Sequence, residues 1–446
     1  MSSTLRQRAP SPGKAEKAQL IKNAEEKELT EGERFIVPNF TVKQLLDAIP
    51  AHCFHRSAIR SGRYVIQDYA AIALGVYLTF QIDPFLSKFN ISPITYTIAK
   101  ISLYALYTVY AGLFGTGLWI IGHECGHQAF SSSKTINNSV GWVLHSFLLV
   151  PYQAWRISHG RHHAATGHLT RDEVHVPRTR KEHGYPAMKE EAEILGFGVS
   201  EARQSELREA LDDAPIVTLY NLVIHQLFGW PAYLFNNASG QLHYPAGTNH
   251  FDPAAVIFKP QQRGQIIRSN IGILLMVSAL AYWSYARSFS EMAVLYGIPY
   301  LFVNHWLVFI TYLQHTDPLI PHYSANSWTF ARGALATVDR TFLGPIGAYV
   351  LHGICETHVA HHTSSKIPHY NAWEATEALK NFLGPHYQKS DENMLLAFYR
   401  TYRDCKYIDA GEDIVFFKNS SGLAKKYAVE EAGGISDSGI DMAESK

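Results

Sequence analysis

The chain has 446 residues, and 39 Lys and Arg balance 39 Asp and Glu, so it carries no cationic footprint for nucleic acid. Hydrophobic residues make up 47% and charged residues 17%, gathered in long apolar blocks, which excludes a string of ordinary soluble domains. Its four cysteines, Cys53, Cys125, Cys355 and Cys405, form no CxxC pair and imply no disulfide framework, while histidine is the compositional outlier at 23 residues.

In chain order, residues 1–34 are polar and mixed in charge. They lack the apolar core of a signal peptide and read as a flexible cytosolic tail. A spanning helix needs about 20 mostly apolar residues. Four stretches qualify: Asp68–Thr79 extended to about Pro84, Ile94–Ile121, Ile266–Ala286 and Met292–Leu313. Two weaker stretches read as interfacial or re-entrant helices. Ser139–Trp155 is short and carries His145 and Pro151; Ile216–Phe235 has the length but holds Asn221, His225, Gln226 and a Gly-Trp-Pro break. The two short connections carry only Lys88 and Arg287, whereas the N-terminal segment and the long polar segments 156–213 and 314–446 hold most of the cations. That asymmetry puts both termini and both long polar segments on the cytosolic side. The fold class expected is an all-α integral membrane protein. It has about four transmembrane helices, interfacial helices and a cytosolic helical cap, divided into a tail 1–34, a membrane domain 35–407 and a C-terminal tail 408–446.

Three histidine clusters fall on the cytosolic side: His123 and His127 in "HECGH", His159, His162 and His163 in "HGRHH", and His358, His361 and His362 in "HVAHH". Residues three and four apart share one face of a helix, so each cluster aims imidazoles at one point. Eight histidines exceed the four ligands of a single tetrahedral zinc. Imidazole suits iron, copper, zinc and nickel. Zinc is redox-inert and the site adjoins a bilayer, which favours a di-iron, oxygen-activating centre acting on lipid. Two rivals fit part of the pattern. "HECGH" matches the zinc-protease motif HExxH, which needs a water-activating Glu124 but not two further clusters. A histidine-rich metal transporter would place its ligands near the bilayer midplane, where only Asn304 and His305 lie. The isolated His145, His225, His243 and His386 read as packing or surface residues.

The three clusters, in this order and with "HECGHQAFS", "VPYQAWRISHGRHHAATGHLTRDEV", "TYLQHTD" and "ETHVAHH" around them, resemble the membrane-bound fatty acid desaturase family. The resemblance runs from about Phe35 to Tyr407 and is strongest to the fungal methyl-end desaturases of the delta-12 (oleate) and omega-3 types. Front-end desaturases differ: they begin with a cytochrome b5 domain carrying His-Pro-Gly-Gly, absent here, and often start the third box with Gln where this chain has His358. Gln128 and Gly160 depart from common usage at positions that are not ligands. The resemblance implies a di-iron centre fed by a separate cytochrome b5 and its reductase, in the endoplasmic reticulum membrane. It implies O₂-dependent insertion of a cis double bond into an acyl chain, delta-12 desaturation of oleoyl to linoleoyl lipid foremost. Omega-3 desaturation, hydroxylation and acetylene formation on the same scaffold stay open. The family also uses a histidine between boxes two and three. His315, at the cytosolic end of the fourth span, fits that role; the other reading makes it a cap of the helix C-terminus. The expected metal ligands are therefore His123, His127, His159, His162, His163, His315, His358, His361 and His362.

Overall fold

The computed structural model describes residues 32–183 and 214–429. The expected tail segments 1–31 and 430–446, and residues 184–213 of the first long polar segment, lie outside the described residues.

The body is helical. A strand β1 (Glu33–Ile36) and short helix α1 (Val42–Asp47) lead into α2 (Ala58–Phe80), α3 (Ile82–Leu86) and the long α4 (Pro93–Gly126). Next come α5 (Lys134–Phe147), α6 (Tyr152–Ala164), α7 (Pro215–Asn236) and α8 (Arg263–Ala286). Helix α9 (Phe289–Met292) runs through one π turn into α10 (Ile298–His315). The remaining helices are α11 (Phe330–Ala334), α12 (Gly344–Val350), α13 (His358–Thr363), α14 (His369–Leu383) and α15 (Met394–Asp404).

Three described helices are long and apolar enough to cross a membrane: Pro93–Gly126, Pro260–Ala286 and Phe289–His315. Helix α2 has 23 residues, but Arg60, Arg63, Gln67 and Asp68 dilute its first half, and it is not one of the three. The stretch Ser139–Trp155, expected as one interfacial helix, is two helices. The chain turns between α5 and α6 at Leu149, with φ +54°, and Pro151 opens α6.

Helix α4 positions the site. Ser92 caps its N-terminus by accepting from Thr95 N–H, and Pro93 stands at the first position, where its missing N–H costs nothing. Thirty-four residues make about 51 Å of helix, some 20 Å more than the hydrocarbon core of a bilayer. Its first half exposes Ile94, Ile98, Ile101 and Leu106, whereas Leu118–Cys125 are buried. The helix thus enters from an apolar surface and delivers His123 into a protein interior. Gln128, with φ +63°, then reverses the chain.

Helices α4 and α10 approach closely because small residues line their contact: a Cβ on Gly112 would stand 2.6 Å from Phe302 Cβ, and one on Gly115 2.7 Å from Val303 Cγ2. Strands are short and paired in twos. β1 pairs in parallel with β6 (Lys426–Val429), Glu33 opposite Lys426. β2 (His322–Tyr323) pairs with β5 (Ile414–Val415), and β3 (Asp339–Arg340) with β4 (Lys389–Ser390). These ladders hold the described part of the segment after 407 against the body, and Ile408, Val415 and Phe417 bury a small core of their own.

Two glycines near the histidines separate crowded from open positions. A Cβ on Gly122 would lie 2.2 Å from Cδ2 of His145, whose ring is fixed by donation from Nε2 to the Trp119 carbonyl at 3.1 Å. A Cβ on Gly160, inside box two, meets nothing within 4 Å. Gly122→Ala should therefore cost about 1–3 kcal/mol through overpacking. Gly160→Ala should be neutral or stabilising by up to about 1 kcal/mol. Thermal midpoints of the two purified variants check this; equal midpoints would show that the α4–α5 contact yields.

Candidate metal centre

All nine expected histidines meet in one layer. His123 and His127 come from the end of α4, His159, His162 and His163 from α6, His315 from the end of α10, and His358, His361 and His362 from α13. Box two lies on one helix face and box three on another, as their spacing requires. The ligand atoms sort into two places. His123, His127, His159, His163 and His361 lie mutually within 4.8 Å, and so do His315, His358 and His362. His162 joins the second place through His315, Nε2 to Nε2, at 3.4 Å.

The nitrogen separations fit a shared metal ion. Two nitrogens bound at about 2.1 Å and at right angles stand about 3.0 Å apart. The facing Nε2 pairs are His123 and His127 at 3.2 Å, His159 and His163 at 3.1 Å, and His315 and His358 at 3.0 Å.

Hydrogen bonds behind the rings show which nitrogen is bare. Asp172 Oδ1 accepts from His162 Nδ1 at 2.7 Å, which leaves Nε2 as a lone pair aimed into the layer. Thr166 Oγ1 donates to the His162 carbonyl at 2.8 Å, so it accepts from His362 Nδ1 at 3.1 Å. Its only hydrogen is already used, and His362 Nε2 is bare as well. The Nε2 atoms of His361 and His362 are buried without a hydrogen-bond partner among the described residues. Buried polar atoms ordinarily find partners, so these await a ligand. Burial, and then the neighbouring imidazoles, hold His159, His163, His358 and His362 well below the ordinary histidine range; burial brings His361 down to about 3. Rings of that kind are neutral at pH 7 and free to bind cations. The donor set, all imidazole, suits a divalent first-row metal such as iron.

Glu124 does not face the converging nitrogens. Its Oε2 accepts from the backbone N–H of His369 at 3.0 Å. Its Oε1 lies 3.8 Å and 4.0 Å from the Nδ1 atoms of His123 and His361, the side of each ring turned away from the layer. The water-activating role of an HExxH glutamate has no geometry here.

Sequence reasoning missed one histidine. His175, beyond box two in the segment "RDEVHVP", has a ring nitrogen within 4.8 Å of those of His162 and His315. It has no helical spacing to any box, so periodicity offered no signal. His145, read as a packing residue, packs against Gly122 as described.

A cavity of about 690 Å³ opens onto the histidines. Its walls include Thr116, Trp119 and Ile120 of α4, Trp230 and Tyr233 of α7, and Leu307 and Val308 of α10. His123, His159, His162, His315 and His358 form the wall nearest the layer. A largely apolar cavity ending at a layer of imidazoles suits an extended hydrocarbon chain.

A family model for fatty acid desaturases matches residues 100–392. A delta(12) fatty acid desaturase of Mortierella isabellina is 46% identical over 383 residues, 86% of this chain and 91% of that protein. An oleate hydroxylase of Claviceps purpurea is 42% identical over 425 residues, 89% of this chain and 84% of the other. A delta(12)-fatty-acid desaturase of Arabidopsis thaliana is 41% identical over 372 residues, covering 83% and 88%.

Two outcomes follow from the geometry. Asp172→Asn keeps the shape but loses the carboxylate behind His162, and should weaken metal retention about 10–100-fold, read by chelator titration. Retention equal to the parent would make Asp172 a loop anchor only. The second concerns pH. In the unfolded chain these rings protonate below about 6.5, while in the folded chain they resist it. Falling pH therefore loads protons onto the unfolded state, and stability is lost from about pH 6.5 downward. The metal-free protein should melt at a lower temperature at pH 5.5 than at pH 7.5; a midpoint that holds or rises would contradict the buried, neutral assignment.

Proposed function

The chain belongs to the fatty acid desaturase family, and we propose that it inserts a cis double bond at the delta-12 position of an oleoyl chain, giving a linoleoyl chain. The reading is carried by one observation: an apolar cavity ends on a layer of converging neutral imidazoles. Two iron ions held by His123, His127, His159, His162, His163, His315, His358, His361 and His362 would supply O₂ activation and hydrogen removal from an unactivated methylene.

The chain's own residues do the rest. Asp172 and Thr166 keep the Nδ1 hydrogens of His162 and His362 in place, so the opposite nitrogens stay available. Trp119, Trp230 and Leu307 line the slot and exclude water from the acyl chain. Each methylene buried there gains about 0.8 kcal/mol, enough for apolar contact alone to bind the chain and set its register. His315 sits between boxes two and three in the chain but at the second metal place in space, with its Nε2 3.0 Å from that of His358. That position supports a ligand rather than a helix cap.

The setting belongs to the same proposal: the endoplasmic reticulum membrane, with cytochrome b5 and its reductase delivering electrons on the cytosolic face, where the termini and boxes lie. A fourth span through α2 is supported by its outward Ile59, Ile66, Leu74, Tyr77 and Leu78. Protease added to sealed microsomes should remove an epitope fused at either terminus; protection of both would invert this topology.

One specific observation favours a second reading, hydroxylation of oleate, since an oleate hydroxylase is 42% identical to this chain. Expression in a yeast that lacks polyunsaturated fatty acids, followed by gas chromatography, separates the two. The expected product is linoleate formed from oleate in the presence of O₂. A 12-hydroxy product would favour the second reading, and no O₂-dependent lipid change would overturn both. His315→Ala should abolish product and lower iron at unchanged protein abundance; full iron and activity would return His315 to capping.

A further inference from the structure

The two metal places are not equal in donors. The first has five histidines, His123, His127, His159, His163 and His361. The second has four of the expected set in two overlapping groups that share His315: His358 and His362 with His315, and His162 with His315 and His175. His175 stands beside the poorer one. Its ring lies parallel to that of His315, with centroids 4.5 Å apart and planes 16° apart, and is 5.3 Å from the ring of His162. One ring nitrogen is within 4.8 Å of the ligand atoms of both. No hydrogen bond to a ring nitrogen of His175 forms among the described residues, so no protein partner claims it.

The loop is built to hold that ring in place. The carboxylate of Asp172 accepts from His162 Nδ1 at 2.7 Å, from Val174 N–H at 3.0 Å and from Gly167 N–H at 3.1 Å. One side chain therefore fixes both the ligand His162 and the backbone next to His175, and the carboxylate is buried. His175 is half-buried and borders the same cavity as His162, His315 and His358.

We propose that His175 is a fifth nitrogen ligand of the second metal place, so that the centre has two five-histidine positions built from ten histidines. The inference rests on the reading of this layer as a two-metal centre. It predicts that the second ion is held by a loop outside the three boxes, and that this loop reports to the cavity wall through Val174 and Val176.

The test uses the purified full-length chain loaded with ferrous iron. The parent should hold two irons per chain against a ferrous chelator. His175→Phe keeps a ring for stacking but offers no nitrogen. It should lose one of the two irons at a chelator concentration about 10–100-fold lower, the range seen when support of a metal ligand is removed. Before any chelator is added, X-ray absorption of the two-iron variant should show fewer nitrogens per iron than the parent. His175→Gly should lose the same iron and recover it when imidazole is added, a rescue that a packing role would not give. Two irons retained by His175→Phe at the parent's chelator concentration, with an unchanged absorption spectrum, would overturn the proposal and leave the two-metal reading standing. A parent that holds fewer than two irons would overturn both. A cryo-EM map of the iron-loaded parent decides the matter without substitution: a His175 nitrogen at about 2.1 Å from the metal supports the ligand, and a ring turned to the cavity overturns it.

Discussion

Everything in this chain is arranged around bare imidazole nitrogens buried a few ångströms from one another. His162 and His362 donate Nδ1–H hydrogen bonds to Asp172 and Thr166, and their other nitrogens then face a layer that contains mostly more of the same. Such atoms repel without a cation between them and cost free energy when left without a partner. A metal ion that took up the lone pairs would offset that cost. In the desaturase reading, iron held by these histidines would supply the oxygen-activating chemistry.

The architecture follows from the need to bring four chain segments to one plane. Helix α4 overshoots a bilayer by about 20 Å and so carries box one out of the apolar layer into a packed interior. Glycines let α10 lie against α4, which puts His315 at the same height. The short helices α6 and α13 then complete the layer from the polar side. Arg340, fully buried, ties the end of α10 to this cap: its Nε donates to the Leu313 carbonyl at 2.8 Å and its guanidinium pairs with Asp317 at 2.5 Å. A buried pair of this kind is strongly destabilising to break.

Much of this was legible in the residues. HxxxH and HxxHH spacing fixes which histidines share a helix face, and apolar length marks α4, α8 and the α9–α10 helix as spans. What was hidden depended on contacts remote in sequence. No local pattern links His175 to His315, far apart in sequence, because the two meet through a loop. The break at Leu149 rests on a left-handed backbone at a residue type that rarely adopts it, so an apolar run concealed two helices. The pairing of β1 with β6 joins the two ends of the described chain through four residues each, too few for a strand signal. Glu124 looked like half of a protease motif until the Nδ1 side of the neighbouring rings proved to be the side it faces.

The central claim is that the histidines form two metal places rather than one, with His361 and His362 adjacent in sequence but serving different ions. Iron per chain, measured in purified His361→Ala and in His362→Ala, tests it most directly. Each variant should keep one iron, and the two remaining irons should differ in their Mössbauer parameters, since different ligand sets hold them. Loss of both irons in both variants, identical Mössbauer parameters for the irons that remain, or retention of both irons in either, would contradict it.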